Sequence, residues 1–130
     1  MPSRGAVEKE GSLSTIQELM EKTGVPVVIA DHQGFITHVN EPFQVVFGWP
    51  SEEIIGKPLT VLMPKTFHDA HHLGFSRFLV TEKATLLNRP LRLKALTKSG
   101  REFDAEHTII AEHRHGEWVF GATIRPLGGE

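Results

Sequence analysis

A chain of 130 residues with 39% hydrophobic content is long enough for one core and too short for two ordinary domains. A formal net charge of −2 without a long basic run argues against nucleic acid as a partner. The absence of cysteine excludes disulfides, iron–sulfur clusters, thiolate zinc sites and cysteinyl adducts, which leaves eight histidines as the strong metal ligands to explain.

Residues 1–11 are small, charged and punctuated by glycine, and read as a flexible leader. They lack the apolar core of a signal peptide, and no stretch of the chain approaches the roughly 18 apolar residues of a membrane span. A cytoplasmic location is the expectation. Ser12 or Ser14 can cap a short amphipathic helix, "STIQELMEK", with Ile16, Leu19 and Met20 on one side and Gly24 as its stop. "VPVVIAD" and "FITHVN", joined by the turn residues "DHQG", form a hairpin, the second strand alternating Phe35 and Thr37 against Ile36 and His38.

Asn40 is placed to cap the next short helix, "EPFQVVFG", because its side chain can accept the free amide hydrogens there. Ser51 followed by Glu52 and Glu53 repeats the helix-start signal, and Gly56 and Pro58 end that helix. After "LTVLMP", Thr66 opens the longest helix, about residues 67–81. Three strands follow. "RPLRLKALT" sets Leu91, Leu93 and Ala95 against Arg92, Lys94 and Leu96; "REFDAEHTIIAE" sets Phe103, Ala105, His107, Ile109 and Ala111 against a polar face; "WVFGATIR" places Trp118, Phe120, Ala122 and Ile124 together. The order predicts an α+β domain with an antiparallel sheet half-covered by helices.

The stretch "FHDAHHLGFSRF" carries three histidines on the long helix. At about 100° per residue, Phe67, His71, Phe75 and Phe78 share a stripe, while His68 and His72 fall at its margins. His71 and His107 are thus the two inward histidines. Each is open to a plain reading, an imidazole satisfied by a backbone carbonyl or water, since burying one without a partner costs about 1–3 kcal/mol. A second reading makes His71 the axial ligand of a haem, with Arg77 meeting a propionate. A third places a surface metal on His68 and His72, spaced i, i+4, with Asp69 nearby. No metalloprotease, P-loop, dinucleotide or nucleophile-elbow motif occurs, and nothing in the residues argues for an enzyme.

"IADHQGFITHVNEPFQVVFGWPSEEIIGKPLTVLMP" resembles the first half of the PAS sensory domain family, with the Asp31–Gly34 turn, Asn40, Gly48, "SEEIIGK" and "LMP" in place. "KSGREFDAEHTI" is similar to the family's later hairpin, with Gly100, Phe103 and Glu106 in register. The resemblance covers about residues 13–127. It implies a PAS fold, a five-stranded antiparallel sheet with short helices and one longer helix packed over one face, in a single domain at 12–127 with a tail at 128–130.

The segment "LMPKTFHDAHHLGFSRF" resembles the haem-binding helix of FixL-type oxygen sensors, and that spacing falls on His71 and Arg77. The resemblance implies a sensor of a small ligand, gas or redox state. Its pocket would be formed by His71, Arg77, Phe75, Phe78, Leu91, Leu93, His107 and Ile109, with His107 as a sixth iron ligand. The oxygen-binding arginine of that subgroup would fall at Leu91, with Arg89 two residues earlier on the same face. Photochemistry of the LOV type is excluded because its cysteine is absent. A cofactor-free PAS module acting in dimerisation and partner contacts, or one binding another small molecule, stands as the alternative. "RPLGG" replaces the family's usual final Asp-x-Thr, so the expected output is an effector domain of a two-component or related signalling protein, or a docked partner. A homodimer is expected through the exposed side of the sheet and the N-terminal helix.

Overall fold

The computed structural model describes residues 15–81 and 89–128, with side chains for all of these except 75–81. The leader at 1–11, residues 129–130 and the side chains of Phe75, Arg77 and Phe78 lie outside that description. The helices are α1 (Ile16–Met20), α2 (Glu41–Phe47), α3 (Ser51–Ile54) and α4 (His68–Thr81), with 3-10 turns at Leu59–Leu62 and Lys65–Phe67. The strands β1 (Val27–Ala30), β2 (Ile36–Val39), β3 (Pro90–Leu96), β4 (Glu102–Arg114) and β5 (Glu117–Pro126) form one antiparallel sheet in the order β2-β1-β5-β4-β3. This is the α+β architecture expected from the element order.

All four residues of β1 are buried and apolar, because this strand is covered on both faces. Val28 joins an inner core with Phe43 and Phe47 of α2, Ile54 of α3, Ala105 and Ile124. Val27 and Ile29 join a separate outer core with Ile16 and Leu19 of α1 and Ile110 of β4. The face of β4 read as polar therefore carries a buried isoleucine. Glu112 on that face also accepts a hydrogen bond from the Ile16 amide at 2.9 Å, supplying a partner to one of the free amides at the start of α1.

The cap of α1 is Thr15, not Ser12 or Ser14: its side chain accepts from the Glu18 amide while Glu18 returns a bond to the Thr15 amide. Five residues are too few to hold a helix in water, so tertiary docking holds this one. Ile16 and Leu19 are buried in that docking, whereas Met20, assigned to the same stripe, is exposed.

Two further expectations fail locally. Ile36 and Val39 are both buried because the β1–β2 register shifts between Ile29 and Ala30, an irregularity that breaks strict alternation. The shift skips Thr37; His38 pairs with Ile29, and its Nε2 is buried without a hydrogen-bond partner among the described residues. Ser51 does not cap α3; Pro50 holds the cap position without a side-chain bond, and the Ser51 amide donates to Gln44 Oε1. Asn40 does cap α2, Gly48 ends it at φ 76°, and Phe43 stacks on Phe47 at 4.3 Å. The Lys98 amide donates to the Phe47 carbonyl, tying the β3–β4 turn to the end of α2.

Candidate functional site

The pleat of β4 sends Phe103, Ala105, His107 and Ile109 to the inner face. Register then sets Leu91 of β3 and Ile124 of β5 on either side of His107, with Leu93 opposite Ala105 and Ala122 opposite Ile109. Leu91, Leu93, His107 and Ile109 thus form a continuous patch, as the alternation predicted. The patch is unevenly covered: Ala105 and Ile124 are buried, Leu91, His107 and Ile109 are partly buried, and Leu93 is 42% exposed despite facing inward.

Burial lowers the pKa of His107 below the ordinary histidine value, opposed by a long hydrogen bond from Nδ1 to the Ala105 carbonyl at 3.3 Å. A carbonyl only accepts, so Nδ1 carries the proton in that bond and Nε2 keeps the lone pair. His71 is also held below the usual value, first by burial and then by the neighbouring charges of His72 and His68. Both rings are neutral at neutral pH, which is the metal-binding form of imidazole.

The three histidines of α4 occupy different surroundings. His68 is partly buried and its Nε2 donates to the Met63 carbonyl at 3.1 Å, His71 is partly buried, and His72 is exposed with its ring 5.6 Å from that of His71. Phe67, placed on the buried stripe by the sequence wheel, is 43% exposed. It lies in the 3-10 turn Lys65–Phe67, ahead of the α-helix that begins at His68, so a wheel drawn for that helix does not place it. His68 and His71, three apart, mark the covered side of the first turn instead.

The surface-metal arrangement does not form. His68 Nε2 is engaged by Met63, and no group of three or more metal-ligating side chains converges among the described residues. Arg89 is exposed. Two concavities open elsewhere: an outer groove of about 250 Å³ between α1 and the sheet, lined by Leu19, Lys22, Ile110 and Thr123 among others, and one of about 380 Å³ between Thr23–Pro26 and Pro42–Val46 of α2. Neither lining includes His71 or His107. No helix of the described residues is long and apolar enough to cross a membrane.

Two residues escaped the sequence reading. Glu112 was placed only as polar lining, and Gly121, in the middle of β5, was given no role. A Cβ at Gly121 would stand 2.7 Å from Leu19 Cδ1 and 3.0 Å from Ile16 Cδ1, so the glycine makes room for α1. A glycine inside a strand is the available signal of such a close approach.

Residues 14–125 match the model of the PAS fold. An uncharacterised protein of Azorhizobium caulinodans is 32% identical over 102 residues, 78% of this chain. The sensor protein FixL of Bradyrhizobium diazoefficiens is 23% identical over 122 residues, 91% of this chain. The chain spans only 14% and 24% of the lengths of these two relatives. The crystal structure of the PAS domain of an HTR-like protein from Haloarcula marismortui aligns with a TM-score of 0.64, covering 84% of this chain and 91% of that one at 19% identity, a likeness of fold alone.

Proposed function

The chain belongs to the PAS fold family, and from that premise we propose that it is the signal-input domain of a signalling protein, sensing a small ligand, gas or redox state through a haem ligated by His71. The observation that carries the reading is the state of His71: a half-buried imidazole kept neutral by burial and by its histidine neighbours, on the long helix where the resemblance to FixL-type sensors puts an axial ligand. The donor set fits. His107 is a second neutral imidazole, and Leu91, Leu93 and Ile109 supply an apolar wall around it. In this reading Phe75 and Phe78 add to the wall from α4, and Arg77 pairs with a propionate.

Haem so held would supply an iron able to change ligand or redox state. The chain's own part is to present two unprotonated ring nitrogens, to keep water from the ring plane with aliphatic side chains, and to pass a change at the inner face into the sheet. Domain limits of 12–127, a homodimer, and output to an effector domain or docked partner belong to the same proposal.

Reconstitution of the apoprotein with haem tests it. A stoichiometric Soret band abolished by His71→Ala is the expected result; absence of uptake overturns the reading. With His107 as sixth ligand, His107→Leu converts a six-coordinate ferrous spectrum to five-coordinate, and an unchanged spectrum removes His107 while leaving His71. Failure of both points to a cofactor-free module working by contact. The specific observation favouring that second reading is Val45, 75% exposed at the lip of the groove between α2 and the α1–β1 linker.

A further inference from the structure

Asn40 makes more bonds than a helix cap requires. Its Oδ1 accepts from the Phe43 amide at 3.1 Å, closing the first turn of α2, and from the Val27 amide at 2.9 Å, at the start of β1. Its Nδ2 donates to the Lys22 carbonyl at 3.2 Å and the Val25 carbonyl at 2.8 Å, both in the linker between α1 and β1. One oxygen and one amino group thereby meet four backbone groups, which exhausts the two donors of an asparagine and both lone pairs of its oxygen.

Those four groups belong to the α1–β1 linker, to the start of β1 in the sheet itself and to α2. α2 enters the inner core through Phe43 and Phe47; the linker positions α1, whose Ile16 and Leu19 enter the outer core. α1 is short, seated over Gly121 and tied to β4 by Glu112, so it has the makings of an element with docked and undocked states. We propose that Asn40 is a positioning residue that couples the two: its amino group holds the linker that keeps α1 docked, its oxygen holds the start of α2, and a shift of either helix is felt by the other through this one side chain. The inference does not rest on the haem reading, because every bond in it is made by the chain itself.

Two substitutions separate coupling from simple stabilisation. Gly121→Val, remote from Asn40 in sequence, puts a branched side chain where Leu19 and Ile16 of α1 and Ile29 of β1 now sit and unseats α1. Asn40→Asp retains an oxygen acceptor for Phe43 and Val27 but loses both donors to Lys22 and Val25, leaving the cap and cutting the clamp. Amide hydrogen exchange followed by NMR at Leu19 and Phe43 reads the outcome.

In the otherwise unchanged chain, Gly121→Val accelerates exchange at Leu19 and also at Phe43, the latter by roughly 3- to 10-fold, the scale of one hydrogen bond. In the Asn40→Asp background, Gly121→Val still accelerates Leu19 but leaves Phe43 unmoved. Equal acceleration of Phe43 in both backgrounds, or none in either, overturns the coupling, since residues that do not communicate give additive effects. Should Asn40→Asp not fold, Asn40→Ser serves the same cycle, its hydroxyl being able to cap α2 and too short to span to the linker carbonyls.

Discussion

On the outer face a five-residue helix fills the space over Gly121 with two side chains, Ile16 and Leu19, and covers a small core beside an open groove. On the inner face the stacked rings of Phe43 and Phe47, with Ile54 and Leu62, pack tightly over Val28 and Ile124 but leave the β3 end graded, with Leu93 42% exposed beside the half-buried His107. The first closure rests on one short helix. The second is the main core, and it thins out toward Leu93 and His107. Packing is thus unevenly divided within one sheet: the packed half of the inner face carries most of the buried side chains, while α1 and the His107 end have fewer buried neighbours to hold them.

Unequal consequences follow for equal kinds of damage. Phe47→Ala, at a fully buried position that also touches the Phe103 ring edge-on at 5.4 Å, lowers unfolding free energy by about 3–5 kcal/mol, measured by denaturant titration. A loss near 1 kcal/mol would contradict the assignment of the main core. Leu19→Ala, just as buried, costs less, about 2 kcal/mol at the low end of leucine truncations, because the loss cannot exceed the docking free energy of α1. For the same reason Ile16→Ala combined with Leu19→Ala is less than additive, whereas additivity would show that α1 never leaves its seat.

The smallest effect is on pH dependence. His71 and His107 are held below the ordinary histidine value of about 6.5 in the folded chain, chiefly by burial. The unfolded chain therefore takes up protons on these rings first as pH falls. Their contribution is nil well above 6.5, becomes destabilising as pH drops through that value, and levels off below the folded-state values. Thermal melting between about pH 7.5 and about pH 5.5 should show a fall in Tm that His107→Leu reduces. A fall of the same size in that variant would assign the pH dependence to other groups.

Much of the inner face was legible from residue order. Alternation along β4 and β5 needs only the two-residue pleat, so His107, Ile109 and Ile124 could be placed on one face before any register was known. Asn40 and Gly48 were legible because caps are local chemistry. Phe67 was misplaced because it lies in the 3-10 turn ahead of α4, outside the helix the wheel describes, whereas His68, set at the margin of the stripe, is partly buried. Ser51 failed for a local reason: a hydroxyl next to two carboxylates fits a cap, but Ser51 is already the first helical residue and Pro50 holds the cap position.

The outer core was not legible at all. Ile110 stood among polar neighbours on its face, Glu112 was placed only on that polar face, and Gly121 was given no role; each acquires meaning only when α1 lies across them. Sequence alone determined the strands, the inner faces of β4 and β5 with the inward direction of His107, and the caps of α2, because these depend on periodicity and on bonds within a few residues. Tertiary structure alone decided that α1 covers the second face, that one irregular register sends both Ile36 and Val39 to the inner core, and that Asn40 bonds both the α1–β1 linker and α2. Those outcomes depend on which distant groups meet across the sheet, and no local pattern carries that information.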